Sequence, residues 1–229
     1  MKKIFAGTLV AVLMLLGTRA QAQFVFGVGY MHTIESTKKT ADNSKVGNPE
    51  HLNGLYFGAS YNIGLAGGLG VAPGLYLDML FQEENYSASG YSILGIIPAG
   101  ATASARYREL AVNVPLNLTY QLEFNDNVKL FAYAGPVFQV GLVARSTQRG
   151  SVRIGNITFN EGDKYDHYNT ENGDMNRFNI YLGGGLGVEI GDIQIMVGYD
   201  HNLLDCDRLD GYTTSRNQIK AGINFAFGD

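Results

Sequence analysis

Apolar and polar residues alternate with a period of two from residue 24 to the end of the chain, and little of the pattern fits a helical repeat. The alternation is sharpest near the C-terminus. Across 216–227, Ile219, Ala221, Ile223, Phe225 and Phe227 fall on one face, and Arg216, Gln218, Lys220, Gly222, Asn224 and Ala226 on the other. Successive side chains of a strand point to opposite faces, so this segment has one oily face and one polar or small face. The pattern recurs in 193–202, where Ile193, Ile195, Val197 and Tyr199 oppose Gln194, Met196, Gly198 and Asp200. In 177–191, Phe178, Ile180, Leu182, Leu186, Val188 and Ile190 oppose Arg177, Asn179, Tyr181 and Glu189 with three glycines. In 109–121, Leu110, Val112, Val114, Leu116, Leu118 and Tyr120 oppose Glu109, Asn113, Pro115, Asn117 and Thr119. Segments 24–31, 55–63 and 71–82 repeat it less sharply. Segment 129–143 carries apolar residues on both faces, and its register stays open.

These are eight candidate strands of roughly 8–15 residues, which brackets the ~9–11 that cross a bilayer at a tilt. Strands of soluble sandwiches are shorter, ~5–6 residues. The polar face is Gly, Ala, Asn and Ser with isolated charges, which suits a narrow barrel interior better than a wet surface. Connections alternate between short ones (64–70, 122–127, 191–192) and long polar ones (34–52, 83–105, 144–175, 205–215), so all the long ones share one rim. The expectation is an all-β fold: a transmembrane up-and-down antiparallel β-barrel of eight strands, with both termini on the short-turn side. A strand-like piece at 151–159 extends a hairpin above the membrane or raises the count to ten.

The N-terminus sets the compartment. Lys2 and Lys3 precede an apolar run over 4–16, and Ala20 and Ala22 stand at the −3 and −1 places of a signal-peptidase site. The run is too short to span a membrane as a helix. Residues 1–22 are therefore expected to be a signal peptide for the Sec pathway, with the mature domain at 23–229 starting on Gln23. Three of the 17 basic residues lie in the signal, against 21 acidic residues in the chain, so the mature part is acidic. Together with the absence of a Lys/Arg cluster, this argues against nucleic acid as a partner. The lone Cys206 forms no internal disulfide and no zinc-type pair.

The chain resembles the outer-membrane β-barrel domain proteins common in Bacteroidetes, often labelled "porin family" and akin in shape to OmpA, OmpX and OmpW. The likeness rests on Ala20-Gln21-Ala22, on Phe26-Gly27-Val28-Gly29-Tyr30, on the stretch from Leu110 to Tyr120, on Ala134-Gly135-Pro136, and on Gly183 to Glu189. It implies an outer-membrane location, contact with outer-membrane lipid and lipopolysaccharide, and insertion by the barrel-assembly machinery. Such proteins often end on an aromatic residue, whereas here Gly228 and Asp229 follow Phe227.

The expected lumen holds Asp78, Glu109, Arg177, Glu189, Asp200, Arg216 and Lys220. Charges in a small barrel need partners, so these are read as a salt-bridged plug. His32, His51, His167 and His201 fall on the long-loop side. Asp200-His201 and Asp166-His167 are adjacent in sequence, but Asp200 and His201, as neighbours in a strand, face opposite ways, and polar loops contain such pairs by chance, so neither pair is read as catalytic. Asp163, Asp166, Glu171 and Asp174 match no ordered calcium loop. Gly183-Gly184-Gly185 opens no helix and so cradles no phosphate. The apolar stretch 91–105, with Ile93, Leu94, Ile96 and Ile97, is read as a cover for the barrel mouth. No enzyme, cofactor or metal is expected. The reading is a structural or adhesion-type barrel with a plugged lumen and long external loops. The alternatives are a narrow transporter for a small or apolar solute and a rim enzyme acting on lipid A.

Overall fold

The structure, a computed structural model, describes residues 22–93, 97–125, 127–154 and 156–228. The expected signal segment and its Ala20 lie outside these residues, as do Leu94 and Ile96. Ala22 and Gln23 open the first strand, paired with Ile63 and Asn62.

The described residues form nine antiparallel strands: β1 (Ala22–Lys39), β2 (Lys45–Gly64), β3 (Leu69–Ile93), β4 (Ile97–Asn125), β5 (Val128–Ile154), β6 (Ile157–Asp166), β7 (Phe178–Ile190), β8 (Ile193–Asn202) and β9 (Tyr212–Phe227). Eight of them close a ring, β1 to β5 and then β7 to β9, and β9 returns to β1 from Phe24↔Phe227 to Lys39↔Tyr212. β6 stands outside the ring and pairs only with the upper part of β5, Arg145↔Asp166 to Ile154↔Ile157. The 151–159 piece therefore lengthens a hairpin, and the ten-strand alternative is not what forms. Closure matters because hydrocarbon offers no partner to a bare strand edge.

The two faces fall as the alternation requires. On β4, Leu110, Val112, Val114, Leu116, Leu118, Tyr120 and Leu122 point outward while Glu109, Ala111, Asn113, Pro115 and Thr119 are buried inside. Outward side chains such as Leu118, 57% exposed, and Leu186, 64% exposed, leave a continuous apolar surface around the ring. An exposed apolar area of that extent is stable only against another apolar phase, here lipid. Tyr61, Tyr120, Phe124 and Phe227 edge it on the short-turn side, and Tyr30, Phe81 and Tyr199 on the other.

Segment 129–143 is ambiguous for a physical reason. Its inward residues include Phe131, Tyr133 and Val137, so the lumen side is apolar too. These rings lie over inward glycines of neighbouring strands. A methyl on Gly187 would meet Phe131, and one on Gly185 or Gly198 would meet the Tyr133 hydroxyl. Tyr56 occupies the equivalent space above Gly29 and Gly222. The small lumen face is therefore the seat for a few large inner rings.

The long connections are loops only in part. Segments 34–52 and 83–105 are mostly ladder, with Thr37↔Val46 paired in the first and Glu83↔Arg106 through Ile93↔Ile97 in the second. Residues 91–93 and 97–105 of the apolar stretch belong to the β3–β4 hairpin, which also pairs with β5 up to Ala99↔Ile154. The upper parts of β3, β4 and β5, together with β6, make a four-stranded sheet rising beyond the ring.

Candidate functional site

Three tiers of paired side chains cross the lumen. The uppermost is centred on Arg216 of β9. Its Nη1 lies 2.9 Å from Glu109 Oε2 and its Nε 2.7 Å from Glu35 Oε2. Glu109 also accepts hydrogen bonds from the hydroxyls of Tyr107 (2.6 Å) and Tyr168 (2.7 Å). A buried guanidinium presents a rigid fork of donors, taken up here by the two carboxylates, the Tyr107 hydroxyl and Met175 Sδ. In the middle tier Lys220 Nζ sits 2.8 Å from Asp200 and 3.6 Å from Asp78, with its ammonium over the Tyr56 ring. In the lowest, Glu189 lies 3.3 Å from Lys129 Nζ and accepts from Gln194 Nε2 at 2.7 Å, and Asn224 donates to Gln194.

Six of the seven expected lumen residues thus face the interior, distributed over these tiers. Arg177 does not. It precedes β7, so the strand's alternation does not govern it, and its guanidinium turns out to the wall. There it donates to the carbonyls of Gly141 and Leu142, where β5 bulges against β4, and to Tyr168 O while its charge lies over the Tyr168 ring. A bulge interrupts ladder bonds and frees carbonyls for such a partner. Four partners in the tiers escaped the sequence reading. Glu35 and Tyr168 fell in presumed loops, Lys129 in the segment of open register, and Tyr107 just outside an assigned strand.

Two cavities flank this packing. The inner one, of about 110 Å³, is lined by Tyr56, Asp78, Asn113, Asn117, Lys220 and Asn224 among others. Each of those side chains, Lys220 apart, has a buried polar atom without a protein hydrogen-bond partner. The outer one, of about 370 Å³, is the mouth. Met31, Asn179, Tyr181 and Gln218 are fully buried and line neither cavity.

The mouth is acidic. Glu35, Glu50, Glu84, Asp174 and Asp207 all line it. Glu50 stands directly across the ladder from Glu35, and burial, with Glu35 and Glu84 beside it, holds its carboxyl above the usual range. Cys206 also lines the mouth, but burial pushes its thiol up to about 12, so it stays protonated and inert.

One histidine of the mouth is hydrogen-bonded at both ring nitrogens. His167 Nδ1 is 2.8 Å from Asp174 Oδ1, and His167 Nε2 is 2.6 Å from Ser146 Oγ. The Asp166-His167 adjacency plays no part, since Asp166 instead approaches Arg145 and accepts from Tyr168 N. His201 bonds to Asn217 and not to Asp200. Nothing in the spacing of 146, 167 and 174 pointed to the grouping, because the folding back of 167–175 onto β5 creates it.

On the outer wall just above the apolar belt, Arg108 of β4 and Arg145 of β5 are direct cross-strand partners, with Arg149 and Lys164 nearby. Arg106 is paired with Glu83 at 2.9 Å.

Comparison with solved structures finds small membrane barrels at low identity. Ail, the attachment invasion locus protein of Yersinia pestis, is 12% identical over 90% of this chain and 99% of that one, with a TM-score of 0.36. Neisserial surface protein A is 14% identical over 88% and 97%, with a TM-score of 0.36. The outer membrane protein OprG from Pseudomonas aeruginosa is 12% identical over 92% and 98%, with a TM-score of 0.37. No curated protein matches the chain. The model of one family, described as outer membrane protein beta-barrel domain, matches residues 17–208. With that match over a closed ring that is oily outside and polar within, the chain belongs to the outer membrane protein beta-barrel domain family.

Proposed function

We infer that this outer-membrane barrel is a non-conducting anchor that holds the β3–β6 sheet outside the cell as an adhesive surface. The observation that carries the reading is the contrast between a lumen closed by Arg216, Lys220 and Glu189 with their partners and a sheet that rises well beyond the ring. An eight-stranded barrel is just wide enough to be filled by its own side chains, so transport through it needs a path that the tiers do not leave. The sheet offers exposed Tyr86, Val152, Ile157 and Phe159, a partly apolar surface fit for a protein partner.

The basic strip supports the same reading. Like charges directly opposite in a sheet repel. Arg108 and Arg145 are such a pair just above the apolar belt, only partly offset by Asp166 3.8 Å from Arg145, and lipopolysaccharide phosphates between them would relieve the repulsion. The strip then braces the foot of the sheet against the leaflet.

The test is a deletion that shortens the β3–β4 and β5–β6 hairpins to tight turns while leaving the ring. Cells producing the intact protein are expected to adhere to extracellular-matrix proteins above the vector control, and the shortened barrel, still inserted, is expected to lose that adherence. Adherence equal to the control for the intact protein, or unchanged after deletion, would overturn the reading.

A further inference from the structure

We propose that Ser146, His167 and Asp174 form a nucleophilic triad that cleaves small carboxylic esters in the mouth of the barrel. Asp174, as a carboxylate, only accepts, so the short contact at Nδ1 places the imidazole proton there. Nε2 is then the free lone pair, and the hydroxyl 2.6 Å away is Ser146. That is the order of roles in which an acid orients a base and the base activates a hydroxyl.

The surroundings hold the arrangement in place. His167 N donates to Ala144 O at 2.9 Å and its carbonyl accepts from Met175 N at 3.1 Å, which ties the imidazole's backbone to β5 and to the segment bearing Asp174. Asp174 O accepts from Arg208 N at 2.8 Å. The rings of Tyr107 and Tyr165 meet the imidazole edge-on and restrict its rotation. All three side chains line the mouth cavity, whose volume of about 370 Å³ suits a small molecule. A network serving stability alone has no need to set a hydroxyl and its base on the wall of a solvent-facing cavity.

The chemistry closes without a co-reactant other than water. Ser146 Oγ adds to the ester carbonyl carbon as His167 Nε2 takes its proton. The tetrahedral adduct collapses, the C–O bond to the alcohol breaks, and His167 returns the proton to the leaving oxygen. Water, deprotonated by His167, then attacks the acyl-serine, releases the acid and restores the hydroxyl. Gln148, two residues along β5 and lining the same cavity, is the side-chain amide placed to donate to the oxyanion. Five carboxylates on the lining against Arg106 and Arg216 leave an excess of negative charge that disfavours phosphates and carboxylates and admits neutral or cationic esters. The triad opens into the mouth rather than onto the lipid-facing wall, which separates it from the lipid A rim chemistry considered from sequence.

The experiment uses the full-length protein refolded in detergent, with barrel closure checked by heat-modifiable gel mobility. A fluorescent fluorophosphonate is expected to modify Ser146, identified by peptide mass, and p-nitrophenyl butyrate to be hydrolysed. Ser146→Ala should abolish both. His167→Ala, in a barrel that still closes, should slow both by about 10²–10⁴-fold, the contribution of a positioned base. Asp174→Asn should lower the rate and change its pH profile, whereas a purely structural aspartate would leave the profile of folded protein unmoved. p-Nitrophenyl hydrogen succinate should react at least tenfold more slowly than the butyrate. Closed, wild-type barrels left unmodified at Ser146, or labelling that survives His167→Ala undiminished, would overturn the proposal.

Discussion

Strand β4 carries two surfaces along one continuous strand. From Leu110 to Leu122 its outward residues are Leu, Val and Tyr, whereas at 100, 102, 104, 106 and 108 the same face bears Gly, Thr, Ser, Arg and Arg. β5 changes in the same way, from Val140 and Leu142 to Arg145, Thr147 and Arg149. Pairing with β5 runs through both halves, and although a bulge lies between Leu110 and Ala111 where they meet, hydrogen bonding alone does not set where the membrane ends. The outward side chains do, because lipid rewards only the lower set. Inside, the same height separates a lumen whose charges are matched from a mouth where acids crowd.

The largest expected effect lies in the matched region. Arg216→Ala leaves Glu109 and Glu35 facing each other without a cation, and removing one partner of a buried pair costs about 3–5 kcal/mol. Urea unfolding of the refolded barrel measures it. A loss well under 1 kcal/mol would show that the upper tier is wet and contributes little to holding the lumen shut.

The next prediction puts one substitution on both surfaces of β4. Leu118→Arg places a charge on the lipid face and should cost about 2–4 kcal/mol if it lies near mid-membrane. Thr102→Arg, on the same face of the same strand, should cost almost nothing, because it sits in water opposite Ser151. Equal costs at the two positions would erase the boundary drawn between them.

Much of this boundary was legible in the sequence. The alternation placed Leu118 and Asn113 on opposite faces, and it placed Arg216, Lys220, Asp200 and Glu189 inside. The extension was harder to read. Around Arg106 and Ser104 one face is polar and the other only alanine, so the alternation there is too weak to read as a strand, and pairing with β3 and β5 holds the chain extended. Arg177 was misplaced because period two stops at the strand end. Ser146 and Asp174 carried no signal, since their meeting at His167 depends on how an irregular segment folds back.

The smallest effect concerns the crowded mouth. A carboxyl whose value is raised by folding favours the folded state when protonated, and that advantage is lost as pH rises from the ordinary carboxylate range through the raised value. Glu50→Gln should therefore slow amide exchange in the β1–β2 hairpin at pH 7 by a factor of about two, as befits a solvent-screened charge. Below about pH 4 the variant and the parent should match.

The absence of tryptophan allows the most direct test. Single tryptophans at Leu118 and at Thr102, read by fluorescence in bilayers of brominated lipid, compare the two outward surfaces of β4. The account requires strong quenching at 118 and none at 102. An unquenched residue 118 in a closed barrel would mean that lipid does not cover the apolar ring, and the membrane-spanning reading would fail.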